Sequence, residues 1–155
     1  MPVIIEAFDS YPDIDGLRSD LDKLYGQALN AEIINQCQAP ETRLYCGKFN
    51  GRWITAALIT ETQTASVRLI TISHAYVREA TRRRGVGSQL LETIISRESS
   101  AKNGTVTIMA RIAPSNPENY ACAEAFLSAL GFKPKQDHFR EACDFIYLPA
   151  SQKNT

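Results

Sequence analysis

The fold is decided by residues 77–88, which run Val-Arg-Glu-Ala-Thr-Arg-Arg-Arg-Gly-Val-Gly-Ser. The segment follows a β-like run and opens an amphipathic helical pattern, so it joins a strand to a helix. Gly85 and Gly87 permit backbone conformations closed to other residues and a close approach to a ligand. The free N–H groups and the dipole at a helix N-terminus attract anions. Three arginines add positive charge there: Arg82, Arg83 and Arg84. The segment therefore predicts a cradle for a phosphate or pyrophosphate.

Residues that the segment lacks exclude two common kinds of phosphate-binding motif. A dinucleotide fingerprint would need glycine at position 90, where the chain has Leu90, and a nucleotide P-loop would need Gly-Lys-Ser/Thr. An Arg-x-x-Gly-x-Gly pattern remains. A solvated basic turn and a nucleic-acid patch are the alternatives. Lys plus Arg and Asp plus Glu both number 17, so the net charge is zero, and no aromatic residues are interleaved with the arginines. A cradle for a phosphate or pyrophosphate is favoured over both.

The flanking sequence predicts an α+β (α/β) fold. Asn50-Gly51 joins two strands, Arg43–Phe49 and Trp53–Thr60, in a tight hairpin. The other expected elements are a strand at 3–8, helices at 13–25 and 27–36, a strand at 66–77, a helix from Val86, a strand at 105–112, a helix ending before Gly131, and a closing hairpin from Phe139 that includes 145–148. We expect a mostly antiparallel mixed sheet of six to seven strands with about four helices.

Length and composition fit one globular domain covering residues 1–155. With 44% hydrophobic and 22% charged residues, the chain differs from disordered proteins. We find no apolar stretch long enough to span a membrane and no secretory signal, so we expect a cytoplasmic protein without membrane attachment. The four cysteines show no metal-ligand spacing, and we expect reduced thiols and no metal: Cys37, Cys46, Cys122 and Cys143.

From Arg43 to Leu148 the chain resembles the GNAT superfamily of acetyl-CoA-dependent N-acetyltransferases. The resemblance rests on Arg82-x-x-Gly85-x-Gly87 and on the helix ending before Gly131-Phe132. It implies that acetyl-CoA or CoA is the cofactor. The pyrophosphate would lie on the backbone from Arg83 to Ser88, which includes Val86. The main chain near Tyr76 and Val77 would pair with pantetheine and steady the acetyl carbonyl.

The proton donor that the superfamily commonly uses is absent. It is a tyrosine four residues before the Gly-Phe glycine, and this chain has Leu127 there. Tyr120 lies about two turns earlier, where packing is the favoured interpretation. The candidate bases are His74, Glu61 and Glu79, and each has a competing structural explanation. His74 fits a packed strand histidine, and Glu61 fits a solvated carboxylate at a strand end. Glu79 fits a partner for one of the arginines. The catalytic residues therefore stay unknown.

A more specific resemblance is to the PanZ (PanM) maturation factors of aspartate 1-decarboxylase, a small branch of the superfamily. It covers the hairpin at 45–52, the run at 77–87, Leu90-Leu91-Glu92, and the helix ending that lacks the tyrosine. It implies a regulator that binds acetyl-CoA or CoA, docks on the proenzyme and promotes its self-cleavage. It also implies restraint of the mature enzyme, so that pantothenate synthesis follows coenzyme A supply.

The candidate partner surface is the hairpin tip, with Lys48, Asn50 and Arg52, together with Arg78. An ordinary solvated turn is the equally weighted alternative. The alternative function is a catalytically active N-acetyltransferase that transfers acetyl from acetyl-CoA to a primary amine.

Overall fold

The computed structural model describes residues 2–64, 66–100, 105–112, 117–134 and 143–148. Its elements are β1 (Ile4–Phe8), α1 (Leu17–Tyr25), α2 (Gln27–Gln36), β2 (Thr42–Phe49), β3 (Arg52–Thr64), β4 (Val67–Val77), a 3₁₀ turn (Glu79–Thr81), α3 (Val86–Ser100), β5 (Thr105–Ile112), α4 (Pro117–Ala129), β6 (Phe132–Pro134) and β7 (Cys143–Tyr147).

Within this described part, the strands form one seven-stranded sheet in the order β1-β2-β3-β4-β5-β7-β6. The β4–β5 pair is parallel and the other pairs are antiparallel. The predicted fold class and sheet are therefore confirmed. None of the helices in these ranges is long and apolar enough to cross a membrane.

The β2–β3 hairpin forms where the sequence predicts it. Asn50 and Gly51 have φ angles of 49° and 75°, so both central residues of the turn are left-handed. This geometry matches the right-handed twist of the flanking strands. The turn places Phe49 opposite Arg52 at the hairpin tip.

Helices cover the sheet on both faces. One cluster joins α3 and α4 to the sheet, with Leu90, Ile94 and Leu127 against Ile59 and Ile72. The other joins α1 and α2 to the opposite face, through residues that include Leu17, Leu21, Ile33 and Leu58. Since both faces are covered, every residue from Trp53 to Ile59 is buried.

Two element boundaries differ from the prediction. The first helix begins at Leu17 rather than at position 13, because Gly16 adopts a left-handed φ of 82° and separates the preceding acidic residues from the helix. The closing hairpin uses Phe132–Pro134 as its first strand, which pairs with β7. Phe139, where that hairpin was expected to begin, lies outside the described residues.

The two central parallel strands separate part-way along their length. Their pairing ends at Ile72 opposite Ala110, although β4 continues to Val77. The β3–β4 register shifts between Ala56 and Leu58, and His74 in the facing segment has a φ of 49°. This is a β-bulge, which bends its strand. The bulge therefore turns the end of β4 away from β5.

Candidate functional site

The separation of β4 from β5 opens a cleft of about 1020 Å³. Its walls come from β3, β4, β5, the C-terminal end of α2, and the inner sides of α3 and α4. Arg82 lies at one part of the lining, and Phe126 and Leu127 of α4 lie at another. The cleft therefore connects the arginine segment with the position at which the sequence lacks a tyrosine.

Hydrogen bonds within the loop before α3 hold its conformation. Thr81 donates from its hydroxyl to the Arg78 carbonyl at 2.9 Å, and the Arg82 N–H donates to the Glu79 carbonyl at 3.2 Å. The N–H of Gln89 donates to the carbonyl of Gly85 at 3.0 Å. The N–H groups of residues 86–88 precede that bond, so they have no acceptor within the helix and are available to an anion.

The two glycines of this loop have different roles. Gly85 has a φ of 78°, which favours glycine, and a Cβ there would meet no atom within 4 Å. Gly87 faces the protein instead, because its Cβ would lie 3.2 Å from Phe126 Cζ and 3.4 Å from Val77 Cγ2. The expectation of a left-handed backbone thus holds at Gly85. At Gly87 the close approach visible in the structure is between α3, α4 and β4.

The three arginines at the helix start are exposed. None of the ion pairs found within the described ranges includes Arg82, Arg83 or Arg84. The Arg82 side chain donates from Nε to the Val77 carbonyl at 3.1 Å, which holds it over the end of β4. Their charge is therefore available next to the open N–H groups of α3.

At the end of β4, one edge of the strand is hydrogen-bonded to β3. The Arg78 N–H donates to the Ile54 carbonyl at 2.7 Å, and the Thr55 hydroxyl donates to the Tyr76 carbonyl at 2.7 Å. Since successive residues of a strand direct their polar groups to opposite edges, the main chain of Val77 faces the opening beside β5. Of the predicted pair, Val77 lines a smaller neighbouring cavity, of about 510 Å³, rather than the main cleft. Tyr76 offers its side chain, which lines the cleft and is 41% exposed.

Leu127 is 4% exposed and lines the cleft, so an apolar side chain occupies the position of the usual proton donor. The ionisable side chains of the described lining are His74, Tyr76, Arg82 and Arg111. Tyr120 belongs to α4, but its side chain lies outside the part that the structure describes.

The candidate bases lie in different surroundings. Glu61, expected to be solvated at a strand end, lies within β3 and pairs with Arg68 at 2.6 Å and Arg43 at 3.1 Å. The hydrogen bond from Arg68, with a further one from Arg43, lowers the pKa of Glu61, which makes it a weaker base. Glu79 is exposed at the start of the 3₁₀ turn, and the ion pairs of the described residues do not include it. Of these candidates, His74 lines the cleft.

The predicted partner residues lie at one end of the sheet. The β2–β3 turn and the C-terminal end of β4 meet there, since Thr55 pairs with Val77. Lys48 Nζ lies 5.3 Å from the centroid of the Trp53 ring. Asn50 forms the turn, and Arg52 begins β3. Arg78 follows β4 and lines a second cavity, of about 510 Å³, with Lys23 and Arg82 among its other residues.

Sequence reasoning missed a buried polar network under the C-terminal half of α3. Glu98 is 5% exposed and accepts hydrogen bonds from Arg43 and from the Tyr45 hydroxyl. Arg68, 6% exposed, pairs with Glu61 and lies 3.6 Å from Glu98. The network has two arginines and two carboxylates, so its charges balance within the sheet–helix interface.

Comparison with known proteins gives one consistent result. The family model described as "Acetyltransferase (GNAT) domain, PanZ" matches residues 2–140. The PanD regulatory factor of Escherichia coli K12 is 29% identical over 137 residues, which cover 88% of this chain and 95% of that protein. The protein of the same name from Salmonella typhimurium LT2 is 32% identical over 95 residues, covering 61% and 67%.

A solved structure supports the fold. Arabidopsis thaliana Naa50, in complex with the bisubstrate analogue CoA-Ac-MVNAL, superposes with a TM-score of 0.60 at 18% identity. The match covers 93% of this chain and 96% of that one. It shows a shared architecture for the sheet and helices that form the cleft.

Proposed function

The chain belongs to the PanZ family of GNAT acetyltransferase domains, and we propose that it binds acetyl-CoA or CoA and in that state regulates aspartate 1-decarboxylase, the enzyme PanD. The regulation proposed is promotion of proenzyme self-cleavage and restraint of the mature enzyme. The names of the Escherichia coli and Salmonella relatives support the partner. The observation that carries the proposal is that one cleft is lined both by Arg82, from the arginine-rich loop before α3, and by the buried Leu127.

The cleft fits the chemical groups of coenzyme A. The N–H groups of residues 86–88 and the exposed arginines would hold the pyrophosphate. The Val77 N–H, on the strand edge away from β3, would donate to an amide carbonyl of pantetheine. Phe126 and Leu127 supply apolar surface in the same cleft. The loop and the strand end therefore offer complementary partners to the charged and the amide-bearing parts of the coenzyme.

Leu127 favours binding over catalysis. Acetyl transfer from a thioester leaves a thiolate, which a nearby acid usually protonates. Leucine cannot donate a proton. An effector that is bound but not consumed can report coenzyme A supply, because coenzyme and partner then strengthen each other's binding by the same factor.

The proposed decarboxylase-binding surface is Lys48, Asn50, Arg52 and Arg78. Arg78 directly precedes the turn that leads to the coenzyme loop, and its N–H is tied to β3 at Ile54. The surface and the coenzyme loop are thus parts of one continuous backbone. This arrangement supports a docking surface whose geometry depends on the bound coenzyme.

The test mixes the purified chain with the proenzyme from the same organism, in the presence of acetyl-CoA, CoA or neither. We expect coenzyme-dependent complex formation by calorimetry and faster appearance of the cleaved subunits on gels. Absence of both effects would contradict the proposal.

Two variants separate the two surfaces. Replacing Arg82, Arg83 and Arg84 by alanine removes several charge-assisted contacts, so coenzyme affinity should fall at least about tenfold. Lys133→Ala, which removes an exposed cation from the edge strand β6, is the control and should bind normally. Arg52→Ala should weaken decarboxylase binding more than coenzyme binding.

The alternative, acetyl transfer to a primary amine, has its own assay. His74 and Tyr76 are ionisable and line the cleft, so they are the groups on which such an activity would depend. We expect CoA release with a panel of amines to stay at the hydrolysis background. Steady, amine-dependent release that His74→Ala or Tyr76→Phe abolishes would favour the enzyme instead.

A further inference from the structure

The bulged end of β4 is held from outside the sheet by Tyr25, the last residue of α1. Its hydroxyl donates to the carbonyl of His74 at 2.6 Å. Its ring packs edge-on against the ring of Tyr76, with centroids 5.1 Å apart at an interplanar angle of 63°. Tyr25 itself is 8% exposed. A single buried side chain therefore contacts both the bulge residue and the residue before Val77.

The hydrogen bond is made to a strained residue. His74 has a φ of 49°, in the left-handed region that few non-glycine residues occupy. Such backbone persists only where its surroundings fix it. The contact from Tyr25 acts on the carbonyl of His74 itself, so it stabilises the conformation that bends β4.

After the bulge, the described part of β4 is no longer paired with β5. Parallel pairing with β5 stops at Ile72. Further along, Thr55 holds the Tyr76 carbonyl, and the Arg78 N–H is bonded to β3. These bonds hold the edge of the strand that faces β3, and Arg82 Nε, which donates to the Val77 carbonyl at 3.1 Å, holds the other edge at one point. The contact from Tyr25 acts on the bulge residue itself.

The hydroxyl keeps its donor form under ordinary conditions. Burial, with smaller contributions from neighbouring cysteine and tyrosine side chains, raises the pKa of Tyr25 well above its usual value. The phenol thus stays protonated, and the hydrogen bond to His74 persists throughout the neutral range.

We propose that Tyr25 is a positioning residue that fixes the bulge at His74 and thereby directs the Val77 N–H toward the bound coenzyme. The inference rests on the proposed function, because it concerns the strand to which pantetheine would bind. It assigns to α1, none of whose residues lines the main cleft, an effect on coenzyme affinity that is exerted through β4.

The experiment compares Tyr25→Phe with Tyr11→Phe. Tyr11 also donates from its hydroxyl within the α1–α2 layer, but to Asn30 Oδ1 at 3.2 Å and not to β4. Titration with CoA should show an affinity for Tyr25→Phe that is weaker by up to about tenfold, because the free energy of one buried hydrogen bond is the most that its loss can transfer to binding, and wild-type affinity for Tyr11→Phe. Equal affinities for the wild type and Tyr25→Phe would overturn the proposal.

Two further measurements isolate the positioning effect. Without coenzyme, Tyr25→Phe should increase hydrogen exchange at the Arg78 amide, which is bonded to Ile54, and Tyr11→Phe should not. His74→Asn places a residue that tolerates the left-handed region at the bulge. In that background the Tyr25→Phe loss of affinity should shrink several-fold; an unchanged ratio would contradict an action through His74.

The outcomes distinguish this inference from the proposed function. If the wild-type chain binds neither CoA nor acetyl-CoA, the proposed function fails. The exchange comparison then still tests the effect of Tyr25 on β4, since it needs no ligand: unchanged exchange at the Arg78 amide would overturn it.

Discussion

Gly87 in the first turn of α3 lies directly against Phe126 of α4, so that a Cβ added at position 87 would lie 3.2 Å from Cζ of that ring. Val77 Cγ2 would be 3.4 Å from the same Cβ. The helix that presents the open N–H groups is thus placed by close contact with α4 and with the end of β4. Its distance from them depends on the absence of a side chain at position 87.

Gly87→Ala should move the start of α3 or displace the Phe126 ring. We expect a loss of about 1 kcal/mol in the free energy of unfolding, as for other small overpacking changes, and a several-fold loss of coenzyme affinity. Urea denaturation and calorimetry with CoA measure the two effects. The rescue variant is Phe126→Leu, which makes space at Gly87 and should recover part of both losses.

Gly85→Ala is the control for Gly87→Ala, because it strains the backbone without crowding a neighbour. A Cβ at this position meets nothing within 4 Å, but the φ of 78° makes alanine strained by about 1 kcal/mol. Phe126→Leu should give no recovery in the Gly85→Ala background. Equal recovery in both backgrounds would show that packing at Gly87 does not position the helix.

The second prediction concerns the buried network under α3. Glu98→Ala removes one of the two carboxylates that Arg43 and Arg68 share, in a site where the Glu98 side chain is 6% exposed, and leaves Glu61 alone beside two arginines. Removal of one partner from a buried ion pair costs about 3 kcal/mol, because the remaining charge stays desolvated. Chemical denaturation should show a loss of this size.

The matched control is Glu32→Ala, which removes an exposed helical carboxylate whose contact is with Gln36. Its effect should be within about 0.5 kcal/mol. Tyr45→Phe, which removes the hydroxyl bonded to Glu98 and leaves both arginines paired, should cost about 1 kcal/mol. Equal effects of Glu98→Ala and Glu32→Ala would rule out a stabilising role for the network.

The third prediction is a pH dependence at Glu61. Hydrogen bonds from Arg68 and then Arg43 lower the pKa of this carboxyl below its ordinary value of 4.5. The unfolded chain therefore binds the proton more readily than the folded chain. The stabilisation is complete above the unfolded pKa and is lost as the pH falls through the folded pKa.

Stability measurements on the wild type and Glu61→Gln should follow this sign. We expect the wild type to be more stable than Glu61→Gln at about pH 7. The difference in the free energy of unfolding should shrink in acid, below about pH 4.5. A difference that stays constant across this range would mean that ionisation of Glu61 does not contribute.

Local sequence patterns predicted much of the fold, including the strand–loop–helix junction at residues 77–88, because their signals are short-range. Asn50-Gly51 specifies its turn through two residues that tolerate left-handed backbone, and the strand at 105–112 has the predicted bounds. Arg82, Gly85 and Gly87 mark a strand–loop–helix junction within six residues. These elements required no knowledge of how distant strands pair.

The remaining features depend on pairing between distant segments. The bulge at His74 arises from the register between β3 and β4, and no glycine marks it. Likewise, Glu61 resembles a solvated strand-end carboxylate until Arg43 and Arg68 are placed beside it on the sheet. The contact from Tyr25 to His74 spans 49 residues, so its tyrosine is indistinguishable in sequence from any other helical core residue.

The last prediction concerns the thiols. Burial raises the pKa of Cys37 to about 11 and also raises that of Cys46, whereas Cys122 on α4 is exposed. Because the thiolate is the reactive form, alkylation near neutral pH should label Cys122 quickly and leave Cys37 and Cys46 unmodified until the chain unfolds. Peptide mass spectrometry after brief treatment with iodoacetamide identifies each site, and Cys122→Ser should remove the fast phase assigned to it. Labelling of Cys46 at the rate of Cys122 in the folded protein would mean that β2 is open to solvent, against the packing of its cysteine under α1 and α2.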